Sequence, residues 1–139
     1  MENQTAEIIT LCKTFANLAD QLETKAFSNP NYQKNGFVED FNHLFNTYCF
    51  GKQNRTVSGL NFSQPPRYHI LKASRETKVE SLSKTRCQVT FLTEPKIGSI
   101  RFILDKKQGE WKIIRFETYV GIAGPGKHQG SELWRKHKL

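Results

Sequence analysis

The fold is decided by two runs of residues, Ser99-Ile-Arg-Phe-Ile-Leu-Asp-Lys106 and Glu110-Trp-Lys-Ile-Ile-Arg-Phe-Glu-Thr-Tyr-Val120. Both are rich in aromatic and β-branched side chains, which favour strands, and Gly109 marks a turn between them. These features predict an antiparallel hairpin that closes a sheet.

Centring the turn on Gln108-Gly109 sets the register of this hairpin. Leu104 then faces Ile113, and Asp105 faces Lys112, an attractive pair of opposite charges. If side chains alternate strictly between the two faces of the hairpin, one face is apolar near the turn and polar at its far end. Its members are Ile100, Phe102, Leu104, Trp111, Ile113, Arg115, Glu117 and Tyr119. A three-residue loop would shift the register by one residue and exchange the faces.

Further strands are predicted on the N-terminal side of the hairpin. Residues 68–75 and 87–94 have strand composition, and a polar loop at 51–66 precedes them. A short edge strand at 56–62 is an option within that loop. The tail, 121–139, is glycine-rich and then basic, and a short helical turn is the expectation for its end.

Two amphipathic helices precede the strands. In residues 5–25, apolar side chains recur at three- and four-residue steps: Ile8, Leu11, Cys12, Phe15, Leu18, Ala19 and Leu22. Ser28-Asn-Pro-Asn31 ends that helix, and residues 36–48 form the second, with four phenylalanine or leucine side chains on one face. Helices followed by strands predict an α+β fold in which two N-terminal helices pack on a curved antiparallel sheet, within a single domain of residues 1–139.

Charge is divided unevenly along the chain. Residues 1–50 carry a net charge of −3 and residues 51–139 a net charge of +11, which gives the total of +8. A positive field favours acidic partners, and no nucleic-acid-binding motif accompanies it, so an acidic protein is favoured over nucleic acid. With no run of about 20 apolar residues and an acidic, polar N-terminus, we expect a cytoplasmic protein that does not enter membranes.

The sequence offers few candidates for catalytic or metal-binding residues. The three cysteines and four histidines lack the spacing of a metal site, so neither metal nor cofactor is predicted. The candidate pocket residues are Tyr48, Arg115, Glu117 and Tyr119. A glutamate beside an apolar wall would have a raised pKa and could act as a base. The alternative is that Arg115 and Glu117, two apart on one strand, pair with each other.

The order of helices, loop and long strands closing on Gly109-Glu-Trp-Lys-Ile-Ile114 resembles the nuclear-transport-factor-2-like fold, a cone-shaped, cystatin-like α+β domain. The resemblance covers essentially the whole chain. Phe116-Glu-Thr-Tyr-Val-Gly121 is similar to the closing strand of the immunity proteins of bacterial polymorphic toxin systems. Because this fold hosts isomerases, dehydratases, carriers and interaction modules, the resemblance alone does not fix the function.

The resemblance implies an immunity protein that binds and neutralises a cognate toxin without catalysis. The expected partner is a toxin with an acidic surface, and Arg101 and Lys112 are the candidate contact residues. A homodimer formed through the sheet is a second possible assembly. The alternative function is a small-molecule enzyme of the isomerase or dehydratase type, with its pocket between helices and sheet. The sequence favours the non-catalytic function and does not decide whether the chain is an enzyme.

Overall fold

The computed structural model describes residues 2–51, 62 and 64–139. They divide into two compact units, Met1–His69 and Ile70–Leu139. The first unit contains the helices and the second an antiparallel sheet, so the α+β class is confirmed. A single domain over residues 1–139 stays a prediction. The optional strand at 56–62 lies, apart from Phe62, outside the described residues.

Three α-helices form the first unit: α1 (Glu2–Phe27), α2 (Pro30–Asn35) and α3 (Phe37–Tyr48). The buried stripe of α1 follows the predicted spacing, with Leu11, Leu18 and Leu22 half-buried at its flank. Its buried members are Ile8, Cys12, Phe15, Ala16, Ala19, Asp20, Glu23 and Ala26. The 26-residue α1 is too polar to span a bilayer, and no other helix in the described part of the chain could do so.

The short helix α2 was not predicted, because Asn29 and Pro30, which begin it, are also residues that end a preceding helix. The side chain of Asn29 accepts a hydrogen bond from the backbone N–H of Tyr32 at 3.0 Å, and Pro30 occupies the first turn. Both residues suit a helix N-terminus. Gly36 separates α2 from α3, and a Cβ there would lie 2.8 Å from the Tyr32 ring, so the close approach requires glycine.

Two buried carboxylates of α1 hold the chain that follows the loop. Glu23 Oε1 accepts the backbone N–H of Arg67 at 2.7 Å, and Asp20 Oδ1 accepts that of Tyr68 at 2.9 Å. The Tyr68 ring then packs 5.8 Å from Phe15. These bonds satisfy backbone groups that a strand ladder would otherwise satisfy, so the predicted strand at 68–75 is wrong. The chain forms a 3-10 helix, His69–Ala73, instead.

Five strands form the second unit as an open, curved meander in the order β1-β2-β3-β4-β5, every neighbouring pair antiparallel. They are β1 (Glu76–Ser83), β2 (Arg86–Leu92), β3 (Ile100–Lys107), β4 (Glu110–Ile122) and β5 (Glu132–His137). The apolar face of the sheet is fully buried at its centre, where Val89, Phe102, Leu104 and Ile113 are 0% exposed.

The tail forms a strand rather than the expected helical turn. β4 has 13 residues and β3 has 8, and β4 pairs with the tail along Phe116–Ile122. The backbone donors and acceptors along that edge need partners, and β5 supplies them. Local composition does not reveal β5, because this strand forms where β4 needs a hydrogen-bonding partner and not where its own side chains favour a strand.

The predicted hairpin register is correct near the turn and wrong beyond it. Leu104 pairs with Ile113 and Asp105 with Lys112, as predicted. The register then shifts between Leu104 and Ile103, which pairs with Arg115, so Ile114 is an extra residue in β4. We call this irregularity the Ile114 bulge. A one-residue bulge exchanges the two faces for the rest of the strand.

Candidate functional site

The Ile114 bulge moves three predicted pocket residues to the other face of the sheet. Arg115, Glu117 and Tyr119 were predicted to share a face with Phe102 and Leu104. In the structure Phe102 pairs with Phe116, so an aromatic pair completes the apolar face there. Glu117 pairs with Arg101, and Arg115 with Ile103. The prediction of their face is therefore wrong.

Glu117 lies between two arginines. Arg101 Nε donates to Glu117 Oε1 at 2.6 Å, and Arg115 Nε donates to Glu117 Oε2 at 2.8 Å. The glutamate is 2% exposed, while the arginine side chains keep 22% and 31% of their surface. Burial alone would raise the pKa of Glu117, but the hydrogen bonds and charges of the two arginines outweigh burial and hold it below its ordinary value.

Contacts continue from Arg101 across β5 to the loop before β3. The Arg101 guanidinium lies 4.2 Å from the centre of the Trp134 ring, and Trp134 packs 5.3 Å from Tyr119. The Lys96 ammonium lies 4.7 Å from the centre of the Tyr119 ring. These side chains form one connected row, which we call the ladder: Arg115, Glu117, Arg101, Trp134, Tyr119 and Lys96.

Exposed apolar side chains lie beside the end of the ladder. Lys96 forms an ion pair with Glu132, which also accepts a hydrogen bond from Trp134 Nε1 at 3.4 Å. Ile97 follows Lys96 and is 65% exposed, and Ile122 pairs with Glu132 across β4 and β5 and is 62% exposed. We call this region the β4–β5 corner: Lys96, Ile97, Arg101, Ile122 and Trp134.

The structure brings most of the predicted site residues together. Arg115, Glu117, Tyr119 and the candidate contact residue Arg101 all belong to the ladder. Lys112 lies on the same face, opposite Asp105, which is itself held by two hydrogen bonds from Arg86. Residues predicted for a pocket and residues predicted for partner contact thus share one surface.

Tyr48 lies elsewhere, on α3 in the helical unit. It lines an open groove of about 370 Å³ between α1 and α3, together with Leu18, Gln21, Leu22, Asp40, His43, Leu44 and Thr47. Asp40 accepts a 2.5 Å hydrogen bond from the hydroxyl of Tyr32. Burial, together with that bond to a carboxylate, raises the pKa of Tyr32.

Sequence reasoning missed Trp134 and Lys96. The basic run at the C-terminus was noticed only as charge, and nothing in it shows that its tryptophan stacks on Arg101. The sequence signal that could have found the arrangement is the match between facing side chains of β3 and β4, apolar with apolar and cation with carboxylate. Once Phe102 is matched with Phe116, Arg101 meets Glu117, whereas an unbulged register leaves Phe102 opposite Arg115.

The ladder is suited to binding rather than to proton transfer. Both oxygens of Glu117 accept arginine hydrogen bonds, and its pKa is shifted away from the range that a general base needs. Within residues 2–51, 62 and 64–139, no group of three or more His, Cys, Asp and Glu side chains is arranged to hold a metal ion.

Comparisons of the chain with protein-family models, curated proteins and solved structures found no match.

Proposed function

We propose that this chain is a non-catalytic binding protein of nuclear-transport-factor-2-like fold, an immunity protein that neutralises a cognate bacterial toxin in the cytoplasm. The observation that carries the proposal is the ladder, in which a buried carboxylate fixes two arginines beside a tryptophan and a tyrosine. Arginine, tryptophan and tyrosine are the residues that contribute most to protein interfaces.

Charge supports an acidic partner. The sheet unit, residues 70–139, carries fifteen basic and seven acidic side chains, so its net charge of +8 equals that of the whole chain. Residues 1–69 are balanced, with six of each sign. A field of one sign on the unit that carries the ladder accelerates encounter with an acidic surface. Fast capture suits a protein that must occupy a toxin before the toxin acts.

The isomerase or dehydratase alternative is not favoured by any contact of Glu117. A catalytic carboxylate of that type needs an oxygen that reaches the substrate and a pKa close to the working pH. Glu117 has both oxygens in arginine hydrogen bonds and a lowered pKa. The ladder therefore supports the binding function over the catalytic one.

The test is genetic and then biochemical. The gene immediately upstream is first checked for a toxin domain, which the proposal expects; its product is then expressed in a bacterial host with and without this chain, and binding of the purified proteins is measured. We expect growth to be rescued and a complex to form at micromolar concentration or below. Growth arrest despite co-expression, together with no complex at that concentration, would contradict the proposal. Light scattering on the free chain determines whether it is a monomer or a homodimer before it meets the toxin.

A further inference from the structure

We infer that the β4–β5 corner, with the arginines of the ladder, is the surface that contacts the toxin, and that it takes a protein segment in which carboxylates flank an apolar side chain. The inference rests on the proposed function and locates its contact surface. Three features carry it: exposed apolar groups, fixed guanidinium groups and the local balance of charge.

The apolar part of the corner is unusually exposed for side chains of its type. Ile97 and Ile122 keep 65% and 62% of their surface; Ile97 follows Lys96 in the chain, and Ile122 is the strand partner of Glu132, the residue that pairs with Lys96. Burying such side chains in an interface contributes about 25 cal/mol for each Å² removed from water. A partner gains this energy by covering the two isoleucines with an apolar side chain of its own.

The arginines are oriented before any partner arrives. Glu117 binds each of them through Nε, and within the described residues no bond occupies the Nη groups of either. Trp134 further holds Arg101 by stacking at 4.2 Å. Side chains that are already fixed lose less conformational entropy on binding, and guanidinium Nη groups donate well to carboxylates.

Local charge calls for an anionic partner. The ladder contains three cations, Lys96, Arg101 and Arg115, and one carboxylate, Glu117, while Glu132 beside it is paired with Lys96. The exposed Lys136 pairs with Glu117 across the strands, so four cations lie beside two carboxylates. The exposed isoleucines favour protein over nucleic acid, because single-stranded nucleic acid is bound by open aromatic faces and Trp134 is covered on one side by Arg101.

The experiment compares matched substitutions at two ends of the sheet. Ile122→Asp alters the corner, and Leu82→Asp is the control, because Leu82 is a 50% exposed aliphatic residue next to a register shift on β1. Trp134→Ala removes the stacking partner of Arg101. Each variant is checked for folding by circular dichroism, and its affinity for the upstream toxin domain and its rescue of growth are measured.

We expect Ile122→Asp to raise the Kd at least about tenfold and Trp134→Ala about thirtyfold, as at the centre of other interfaces, while Leu82→Asp stays within about twofold. If wild type binds and rescues but the two corner variants do so equally well, the corner is not the contact surface and the proposed function stands. If wild type neither binds nor rescues, the proposed function itself fails, and the inferred toxin-contact surface falls with it.

A second measurement addresses nucleic acid. Wild type is titrated with a single-stranded oligonucleotide of about 20 nucleotides at physiological salt. We expect binding at least about a hundredfold weaker than to the toxin domain. Oligonucleotide binding as tight as toxin binding, and abolished by Trp134→Ala, would overturn the choice of a protein partner.

Ile97→Asp, at the other exposed isoleucine, provides a corner variant that leaves the ladder contacts intact.

Discussion

A carboxylate that is 2% exposed has to be paired, and Glu117 has two partners. Removing one member of a buried ion pair leaves an uncompensated charge, which costs more than the pair itself gains. Here the loss of Glu117 would leave Arg101 and Arg115 facing each other across one sheet face. Its role at the residue scale is to allow two cations to lie close together.

Glu117→Gln tests this role through pH. The folded-state pKa of Glu117 lies below its ordinary value of 4.5, so Glu117 contributes stability above about pH 4.5, and this contribution is lost as pH falls through its folded pKa. At pH 7 we expect the variant to lose about 3 kcal/mol of unfolding free energy. The measurement is urea denaturation across the pH range.

The difference between wild type and Glu117→Gln should shrink below about pH 4.5, because protonated glutamate and glutamine are both neutral. Glu80→Gln, on an exposed position of β1, serves as the control and should change little at any pH. A difference that stayed constant down to pH 3 would show that the arginines do not depend on the charge of Glu117.

At the scale of elements, the Ile114 bulge determines which residues share a face. Before it, β4 places Ile113 beside Leu104; after it, Phe116 takes the place that strict alternation assigns to Arg115. The burial pattern of β4 shows the change, since Ile113 and Phe116 are both buried although they are three residues apart.

Deleting Ile114 would remove the extra residue and keep both faces of β4 as they are. Arg115 would follow Ile113 directly and still pair with Ile103, so Phe116 would stay opposite Phe102 and Glu117 opposite Arg101. We expect the deletion variant to fold and to melt cooperatively by circular dichroism. Ile114→Ala keeps the extra residue and should also fold, with a loss of at most about 2 kcal/mol. A deletion variant that is unfolded while Ile114→Ala folds would contradict the assigned register.

Sequence periodicity predicted those helices and strands that bury one face, because burial imposes a regular spacing on their apolar residues. α1, α3 and β2 to β4 all show buried stripes, and each was found near its predicted place. The two edge strands were missed: β1 is exposed at six of its eight positions, and β5 has no fully buried residue. In β1 only Thr77 and Val79 alternate with exposed charged residues, because an edge strand buries few side chains, and so short an alternation does not by itself indicate a strand.

The candidate site was predicted residue by residue but not in its arrangement. Arg101, Arg115, Glu117 and Tyr119 were all selected, yet the bulge that unites them falls within Ile113-Ile114, where both residues are apolar and alternation carries no information. Cross-strand complementarity was the signal that remained. A sequence shows which charges are present, and the register decides which of them meet.

At the scale of the whole molecule, the positive charge belongs to the sheet unit and not to the helical unit. Raising the salt concentration from about 50 mM to about 500 mM shortens the screening length from roughly 14 Å to roughly 4 Å. We expect the association rate with the toxin domain to fall at least about tenfold over this range, and the dissociation rate to change far less. Stopped-flow mixing measures both, and a salt-independent association rate would contradict steering by charge.

The stacking of Trp134 has an optical consequence. The chain has two tryptophans, and Trp111 lies at the other end of β4, 5.8 Å from the Lys106 ammonium. In a Trp111→Phe variant all indole emission comes from Trp134, whose ring contacts both the Arg101 guanidinium and the Tyr119 ring. A partner that draws Arg101 into a new ion pair changes the electric field across that ring. We therefore expect the emission maximum to shift on binding, so that the protein reports occupancy of its own surface without an added dye.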